Sequence, residues 1–133
     1  MKLPLPFHLR SGLWGERQAE RFLKEKGYKI LGRRVRVGQR DELDLVARDG
    51  EVLVFVEVKT RKTEMFGAPV SAVDREKRRT LSRAAARYLQ RLKYPRICFR
   101  FDVVEVIGEE DGDEVQVRHI ENAFPLDRRY MLP

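Results

Sequence analysis

The sequence predicts an α/β protein of three layers, in which a central mixed five-stranded sheet carries helices on both faces. Two segments place apolar residues at helical spacing, and five others read as strands. Along the chain they follow one another as helix, three strands, helix, two strands, which favours a mixed sheet covered on each side. The 133 residues, 42% of them hydrophobic, suit a single domain 1–133 with its own core.

The first predicted helix begins at Ser11, a suitable N-cap, and ends at Gly27. Its apolar stripe contains Ala19, Phe22 and Leu23. At 100° per residue, Glu16 falls at the border of that stripe. Residues 1–10 are then expected to form an N-terminal arm and residues 122–133 a C-terminal tail.

Hairpin geometry links the second and third strands. The five strands are predicted at 28–37, 41–48, 51–60, 97–107 and 115–120, and the second helix at 74–93. Asp49-Gly50 is a strong signal for a two-residue hairpin turn. A symmetric turn there places Asp44 opposite Phe55 and Glu42 opposite Glu57.

This hairpin separates charged from apolar residues. Because side chains alternate along a strand, one face is expected to hold Glu42, Asp44, Glu57 and Lys59. The other face is expected to hold Leu43, Leu45, Val52, Val54, Val56 and Val58. A one-residue bulge in the turn would undo this alignment.

Three neighbouring carboxylates raise one another's pKa values or require a cation. Oxygen ligands suit Mg²⁺ or Mn²⁺, and Lys59 adds a positive charge beside such an ion. The pattern therefore fits metal-assisted phosphodiester hydrolysis. The alternative is that these residues are exposed ions on a solvated face.

The chain is basic, with a net charge of +7, and its charge is unevenly distributed. Residues 71–100 hold ten Lys and Arg against two carboxylates, whereas residues 105–121 hold seven carboxylates against one Arg. Such polarity indicates one surface for a polyanion, although a solvated helix face has the same composition. Cys98 is the sole cysteine, expected to be buried, and excludes an intramolecular disulfide. No apolar run is long enough to span a membrane, so we expect a cytoplasmic protein without a membrane partner.

Asp44, twelve intervening residues and then Glu57-Val58-Lys59 resemble the D…(D/E)xK signature of the restriction-endonuclease-like nuclease fold. The segments GERQAERFLKEKGYKIL, DELDLVARDGEVLVFVEVKTR and RFDVVEV together resemble the YraN-like family of small bacterial proteins. The likeness runs from about Gly12 to Phe124. The plan is also similar to that of archaeal Holliday-junction resolvases.

The resemblance implies roles for individual residues. Asp44, Glu57 and the Val58 carbonyl would bind Mg²⁺ or Mn²⁺, Lys59 would orient or activate water, and Glu16 would complete the site. Glu42 would support the metal. Because resolvases act as dimers, the resemblance also admits a homodimer.

Other residues are candidates for DNA contact. Lys77, Arg61 and Arg78 could bind phosphates, and each could equally be a solvated surface residue. Trp14 and Phe66 could stack on unpaired bases, although core positions are more usual for such residues.

Three functions are compatible with the sequence. The leading one is a metal-dependent DNA endonuclease, with branched DNA as a candidate substrate. The second is a nucleic-acid-binding module of nuclease fold that works with a DNA-processing partner without cutting. The third is an interaction protein whose charges form surface ion pairs.

Overall fold

The computed structural model describes residues 6–63, 73–93 and 96–131. The described elements are helix α1 (Phe7–Glu25), strands β1 (Lys29–Val37), β2 (Asp41–Asp49) and β3 (Val52–Arg61), helix α2 (Arg75–Leu92), and strands β4 (Phe99–Ile107) and β5 (Gln116–Phe124). A short 3₁₀ turn follows at Arg128–Tyr130. Neither of the two described helices is long and apolar enough to cross a membrane.

The five strands form one sheet in the order β1-β2-β3-β4-β5. β3 and β4 are parallel, and the other three neighbouring pairs are antiparallel. The sheet is therefore mixed, as predicted, and the arrangement is consistent with a restriction-endonuclease-like fold. α2 connects the two parallel strands, since such a connection must cross the sheet.

Each helix covers its own face of the sheet. Leu81, Ala85 and Leu89 of α2 pack into a core that includes Phe55 and Phe101. On the opposite side, the residues of α1 and the sheet that share a second core are Trp14, Ala19, Leu23, Val54, Val56 and Val104. The prediction of helices on both faces is confirmed.

The described residues near the two chain ends form more regular structure than predicted. α1 begins at Phe7 rather than Ser11, so residues 7–10 belong to a helix instead of an arm. β5 continues to Phe124, so the predicted tail from residue 122 starts inside a strand. Asn122 has a positive φ of 50°, and its N–H donates to the buried carboxylate of Asp102 at 2.9 Å. This irregular position explains why alternation alone ends the strand too early.

The predicted hairpin register is wrong by two residues. Asp49 pairs with Val52, so the loop is Gly50-Glu51 instead of Asp49-Gly50. Gly50 has a φ of +60°, and a two-residue turn with glycine in its first central position needs this conformation. A shift of two residues leaves the faces of β3 as predicted. It brings Asp44, in place of Glu42, level with Glu57.

Candidate metal and nucleic-acid site

The candidate site lies where β2 separates from β3. Their paired residues run from Asp49↔Val52 to Leu45↔Val56 and stop there. At the next position, the Val58 N–H donates to the Asp44 carboxylate at 2.9 Å. A side-chain carboxylate thus accepts the bond that a backbone carbonyl of β2 would otherwise accept, and Asp44 is fixed between the two strands.

The same point marks a change in how β2 packs. Leu43 belongs to the core on the α2 side, whereas Leu45 belongs to the core on the α1 side. Two residues apart on a regular strand would share a face. The prediction that Leu43 faces the same side as Val54 and Val56 is therefore wrong, because the strand is irregular at Asp44.

Glu57 is the most perturbed carboxylate of the site. Its side chain is only 4% exposed, and the Lys77 and Lys59 ammonium groups lie 3.5 Å and 3.7 Å from its Oε2. Burial is the largest effect on its pKa, followed by the hydrogen bond and charge of Asp44, and together they raise that pKa to about 8. The two lysines oppose the rise without cancelling it. Two carboxylates in contact inside the protein thus form a place where added positive charge is stabilising.

Glu16 lies within electrostatic range of both Asp44 and Glu42. Burial raises the pKa of Glu16, the hydrogen bond from Arg34 lowers it, and the charges of Asp44 and Glu42 raise it again. The Arg34 Nε lies 2.8 Å from the Glu16 carboxylate. Glu42 is exposed, and the prediction that it pairs with Glu57 is wrong.

These residues suit a hard divalent cation in part. Asp44 and Glu57 are adjacent carboxylates, and Mg²⁺ is commonly held by one or two carboxylates while it keeps several waters. Within residues 6–63, 73–93 and 96–131, no three His, Cys, Asp or Glu residues form a group that could hold a metal ion. The third carboxylate, Glu16, is bonded to Arg34 instead.

The predicted DNA-contact residues divide between different surroundings. Lys77 points to Glu57 and so belongs to the acidic site itself. The Arg61 Nε lies 3.5 Å from the Glu105 carboxylate. Arg78 donates to the Val73 carbonyl at 3.0 Å and lies over the Phe124 ring, which gives it a packing role.

Glu105 is a buried carboxylate that the sequence analysis did not assign to the candidate site. It is 1% exposed and is the β4 neighbour of Lys59. Its Oε2 makes no hydrogen bond, although the ion pair with Arg61 reaches the same atom. Glu105 lies among valines in FDVVEVI, just as Glu57 lies among valines in β3. A charge inside an apolar strand was therefore the signal that could have identified it.

Trp14 and Cys98 lie in opposite surroundings. Trp14 is buried in the core beneath α1, as the usual role of such residues predicted. Cys98 is exposed, so the expectation that it is buried is wrong; it precedes the first residue of β4 by one position. Phe66 lies outside the described residues.

A cavity of about 640 Å³ borders the site on the α1 side. Val58 and Thr60 contribute to its wall, together with the start of α1 and the 108–111 segment. Its rim contains basic and acidic side chains, including the Arg10–Glu110 and Lys62–Glu109 ion pairs. Such mixed charge does not favour a polyanion, so we place the candidate chemistry at Asp44 and Glu57 and not in this cavity.

Fold and site together define a class of protein, a small α/β domain with a mixed five-stranded sheet and an acidic pair, buried Glu57 and half-buried Asp44, with lysines beside Glu57. The chain belongs to the uncharacterised protein family UPF0102, whose profile matches residues 15–106. This confirms the resemblance to the YraN-like family.

Relatives of similar length support the assignment. The chain is 50% identical over 116 residues to a UPF0102 protein of Symbiobacterium thermophilum, which covers 86% of this chain and 96% of that protein. It is 43% identical over 110 residues to a UPF0102 protein of Caldicellulosiruptor saccharolyticus, covering 83% and 92% respectively. The family and these relatives are described without an activity, so membership assigns none.

Proposed function

We propose that this protein is a metal-dependent endonuclease that hydrolyses phosphodiester bonds in DNA, with branched DNA as a candidate substrate. The observation that carries the proposal is the buried Glu57 carboxylate in contact with Asp44, with the Lys59 ammonium 3.7 Å away. A carboxylate pair and a lysine on adjoining strands supply the ligands and the positive charge that hydrolysis of a phosphodiester requires.

Each residue would have a distinct task. Asp44, Glu57 and the Val58 carbonyl would hold Mg²⁺ or Mn²⁺, and the ion would supply polarisation of the phosphate and a lowered pKa of water. Lys59 is about one-third exposed, with a side-chain exposure of 34%. Its ammonium can therefore reach an incoming phosphate or water while it stays near Glu57. Lys77, 40% exposed, could bind the same anion from α2.

The positive charge of the chain agrees with a DNA substrate. α2 is rich in arginine and starts beside the site, where Lys77 contacts Glu57. Phosphate contacts by such residues provide affinity without sequence preference. Any preference for branched over linear DNA would then depend on how well the shape of the DNA fits the protein surface.

A second function is favoured by one specific observation. Lys59 and Lys77 already place two positive charges beside Glu57, and the third carboxylate is paired with Arg34. Such a site already holds part of the positive charge that a metal would supply, as expected of a nucleic-acid-binding module that works with a DNA-processing partner and does not cut.

The test is a cleavage assay with matched variants. Supercoiled, single-stranded and four-way-junction DNA are incubated with the pure protein and Mg²⁺, Mn²⁺ or chelator. Glu57→Gln and Lys59→Ala are each expected to lower the rate of metal-dependent cutting by about 10²-fold or more. Glu51→Gln in the hairpin loop and Lys29→Ala on β1, both exposed, serve as controls and should cut normally.

The outcomes separate the two functions. Cutting that needs metal and is lost only in the site variants supports the endonuclease. Cutting that persists in Glu57→Gln and Lys59→Ala indicates a contaminating nuclease and contradicts the proposal. Salt-dependent DNA binding without cutting on any substrate favours the binding module.

A further inference from the structure

Two neighbouring ion pairs connect α1 to β1. Glu16 and Glu20 lie one turn apart on α1, and they bind Arg34 and Arg33 respectively. Consecutive residues of a regular strand point to opposite faces, so both arginines would not normally reach the same helix. Arg34 has a φ of 45°, a conformation uncommon for a residue with a side chain. This interruption of the strand lets Arg33 and Arg34 both contact α1.

The two arginines differ in what surrounds them. Arg33 interacts with Glu20, which Lys24 also binds at 2.9 Å. Arg34 interacts with Glu16 and, in addition, lies in the electrostatic field of Glu42 and Asp44. Arg34 is therefore a cation of the candidate site, whereas Arg33 belongs to a surface ion pair outside it.

Glu16 is held in place at the edge of the site. Its side chain is 17% exposed, and its carboxylate accepts from the Arg34 Nε at 2.8 Å. A carboxylate engaged in this way cannot give the same oxygen to a metal ion without losing the arginine. This competition accounts for the lack of a three-residue metal group within the described parts of the chain, even though Glu16 and Asp44 interact.

We propose that Arg34 is a resident counter-cation that competes with the divalent metal for Glu16. When the metal binds, Glu16 exchanges Arg34 for the ion, and the released guanidinium remains at the rim of the site, where its side chain is already 40% exposed. The inference rests on the proposed function, because it needs a metal at Asp44 and Glu57. It assigns to Arg34 a positioning role that tunes metal affinity.

Removal of the charge at Arg34 should therefore tighten metal binding. The metal no longer displaces a bound cation, and the repulsion between two nearby positive groups disappears. We expect Arg34→Gln to bind Mn²⁺ about three- to tenfold more tightly, the size typical of one partly exposed charge at short range. Arg34→Lys keeps the charge and should bind Mn²⁺ nearly as the unmodified chain does.

The experiment measures Mn²⁺ binding to the metal-free full chain by isothermal titration calorimetry, without DNA. Arg33→Gln is the matched control, since it breaks the neighbouring ion pair on the same two elements and should leave the affinity unchanged. Glu16→Gln removes the contested ligand and should weaken binding. In the Glu16→Gln background, Arg34→Gln should give a smaller gain in Mn²⁺ affinity than in the unmodified chain, because the competition for Glu16 is gone and only the repulsion between Arg34 and the metal remains. Far-UV circular dichroism checks that each variant is folded.

Each result bears on a distinct statement. Equal Mn²⁺ affinity of Arg34→Gln and the unmodified chain, or weaker binding by the variant, overturns the role of Arg34 and leaves the proposed metal site intact. No Mn²⁺ binding by any of the proteins overturns the proposed function together with this inference. If Arg34→Gln does not fold, Glu16→Gln still tests the inference. Equal Mn²⁺ affinity of Glu16→Gln and the unmodified chain would by itself overturn it.

Discussion

Glu57 occupies a position where an apolar residue would be expected, between Val56 and Val58 in the central strand β3. Burial of a charge is costly unless other groups compensate it. Here the compensation is incomplete, since burial and Asp44 raise the pKa of Glu57 to about 8 in spite of Lys77 and Lys59. Near neutral pH the metal-free protein therefore holds a proton that a bound cation would displace.

This raised pKa predicts how stability depends on pH. A carboxyl that is more basic in the folded state than in the unfolded state stabilises the fold at low pH. For Glu57 the contribution is complete below about 4.5 and is lost as pH rises through about 8. As pH rises from 5 to 9, the free energy of unfolding of metal-free Glu57→Gln should increase relative to that of the unmodified chain, by a few kcal/mol at most. Urea unfolding at several pH values measures the difference.

Glu51→Gln is the control for this titration, because Glu51 is an exposed residue of the hairpin loop on the same sequence segment. Its free energy of unfolding should follow that of the unmodified chain across the whole range. If the free energies of unfolding of Glu57→Gln and the unmodified chain change in parallel with pH, the predicted rise in the Glu57 pKa is contradicted.

Two further charged residues interrupt an apolar strand in the sequence and are buried in the structure. Asp102 and Glu105 interrupt the apolar run of β4 as Glu57 interrupts that of β3, and both are buried. Burial alone would raise the pKa of Asp102, but hydrogen bonds from His119, Arg100 and the Asn122 N–H hold it below its usual range. The charged residues inside this apolar strand can be recognised in the sequence. The hydrogen-bond partners of Asp102 cannot, because two of them, His119 and Asn122, come from β5, which is distant in the chain.

Among the elements, α1 and β3 approach each other closely at Gly15. A Cβ atom on Gly15 would lie 2.0 Å from the Thr60 Oγ1 and 3.2 Å from the Thr60 Cβ. Rotation of Thr60 can move its hydroxyl, but its Cβ is fixed by the strand. The absence of a side chain at Gly15 therefore sets how near α1, and with it Glu16, lies to the sheet.

Gly15→Ala is expected to destabilise the protein by about 1–3 kcal/mol, the usual cost of overpacking a close contact. Gly12→Ala in the same helix is the matched control, since a Cβ atom added at Gly12 would have no described neighbour within 4 Å. Alanine has the higher helix propensity, so Gly12→Ala should be neutral or stabilising by up to about 1 kcal/mol. Thermal unfolding of both variants tests the pair, and equal effects would contradict a close contact at Gly15.

The elements themselves were largely predictable, because their signals are local. Apolar periodicity located the seven described α-helices and strands, and Asp74 accepts from the Lys77 N–H as a helix N-cap. The hairpin register was missed because Asp49-Gly50 and Gly50-Glu51 are both acceptable turns, and the backbone conformation at Gly50 decides between them. The ion pair of Glu16 with Arg34 depends on how α1 crosses the sheet. No local pattern specifies that crossing.

In the whole molecule, the folded chain offsets part of the positive charge that the 71–100 segment displays in the sequence. Arg83 forms a bidentate pair with Asp41, Arg79 lies 3.9 Å from Asp127, and Lys77 lies beside Glu57. All three acidic partners come from outside the segment. The polyanion-binding surface that this segment predicts is therefore smaller than its composition indicates.

Other cations of α2 define a specific DNA-binding prediction. Arg75, Arg87 and Arg91 are exposed, and the charge of Arg87 also helps to lower the pKa of Asp41. Each phosphate contact contributes about −0.9 to the slope of log affinity against log salt, so three contacts should give duplex DNA a slope of roughly −3. A surface that used all ten basic residues of the segment would give a slope near about −9.

Arg87→Ala should reduce this slope by about one unit and weaken binding to every DNA sequence alike, as expected for a phosphate contact. Arg21→Ala is the control, because Arg21 is also exposed but lies on α1, which packs on the opposite face of the sheet. Fluorescence anisotropy with a labelled duplex, in chelator to prevent cutting, gives both slopes. A loss as large in Arg21→Ala as in Arg87→Ala would mean that DNA does not bind along α2. It would also remove the charge argument for DNA as the substrate, while the proposed metal site at Asp44 and Glu57 would stand on its own geometry.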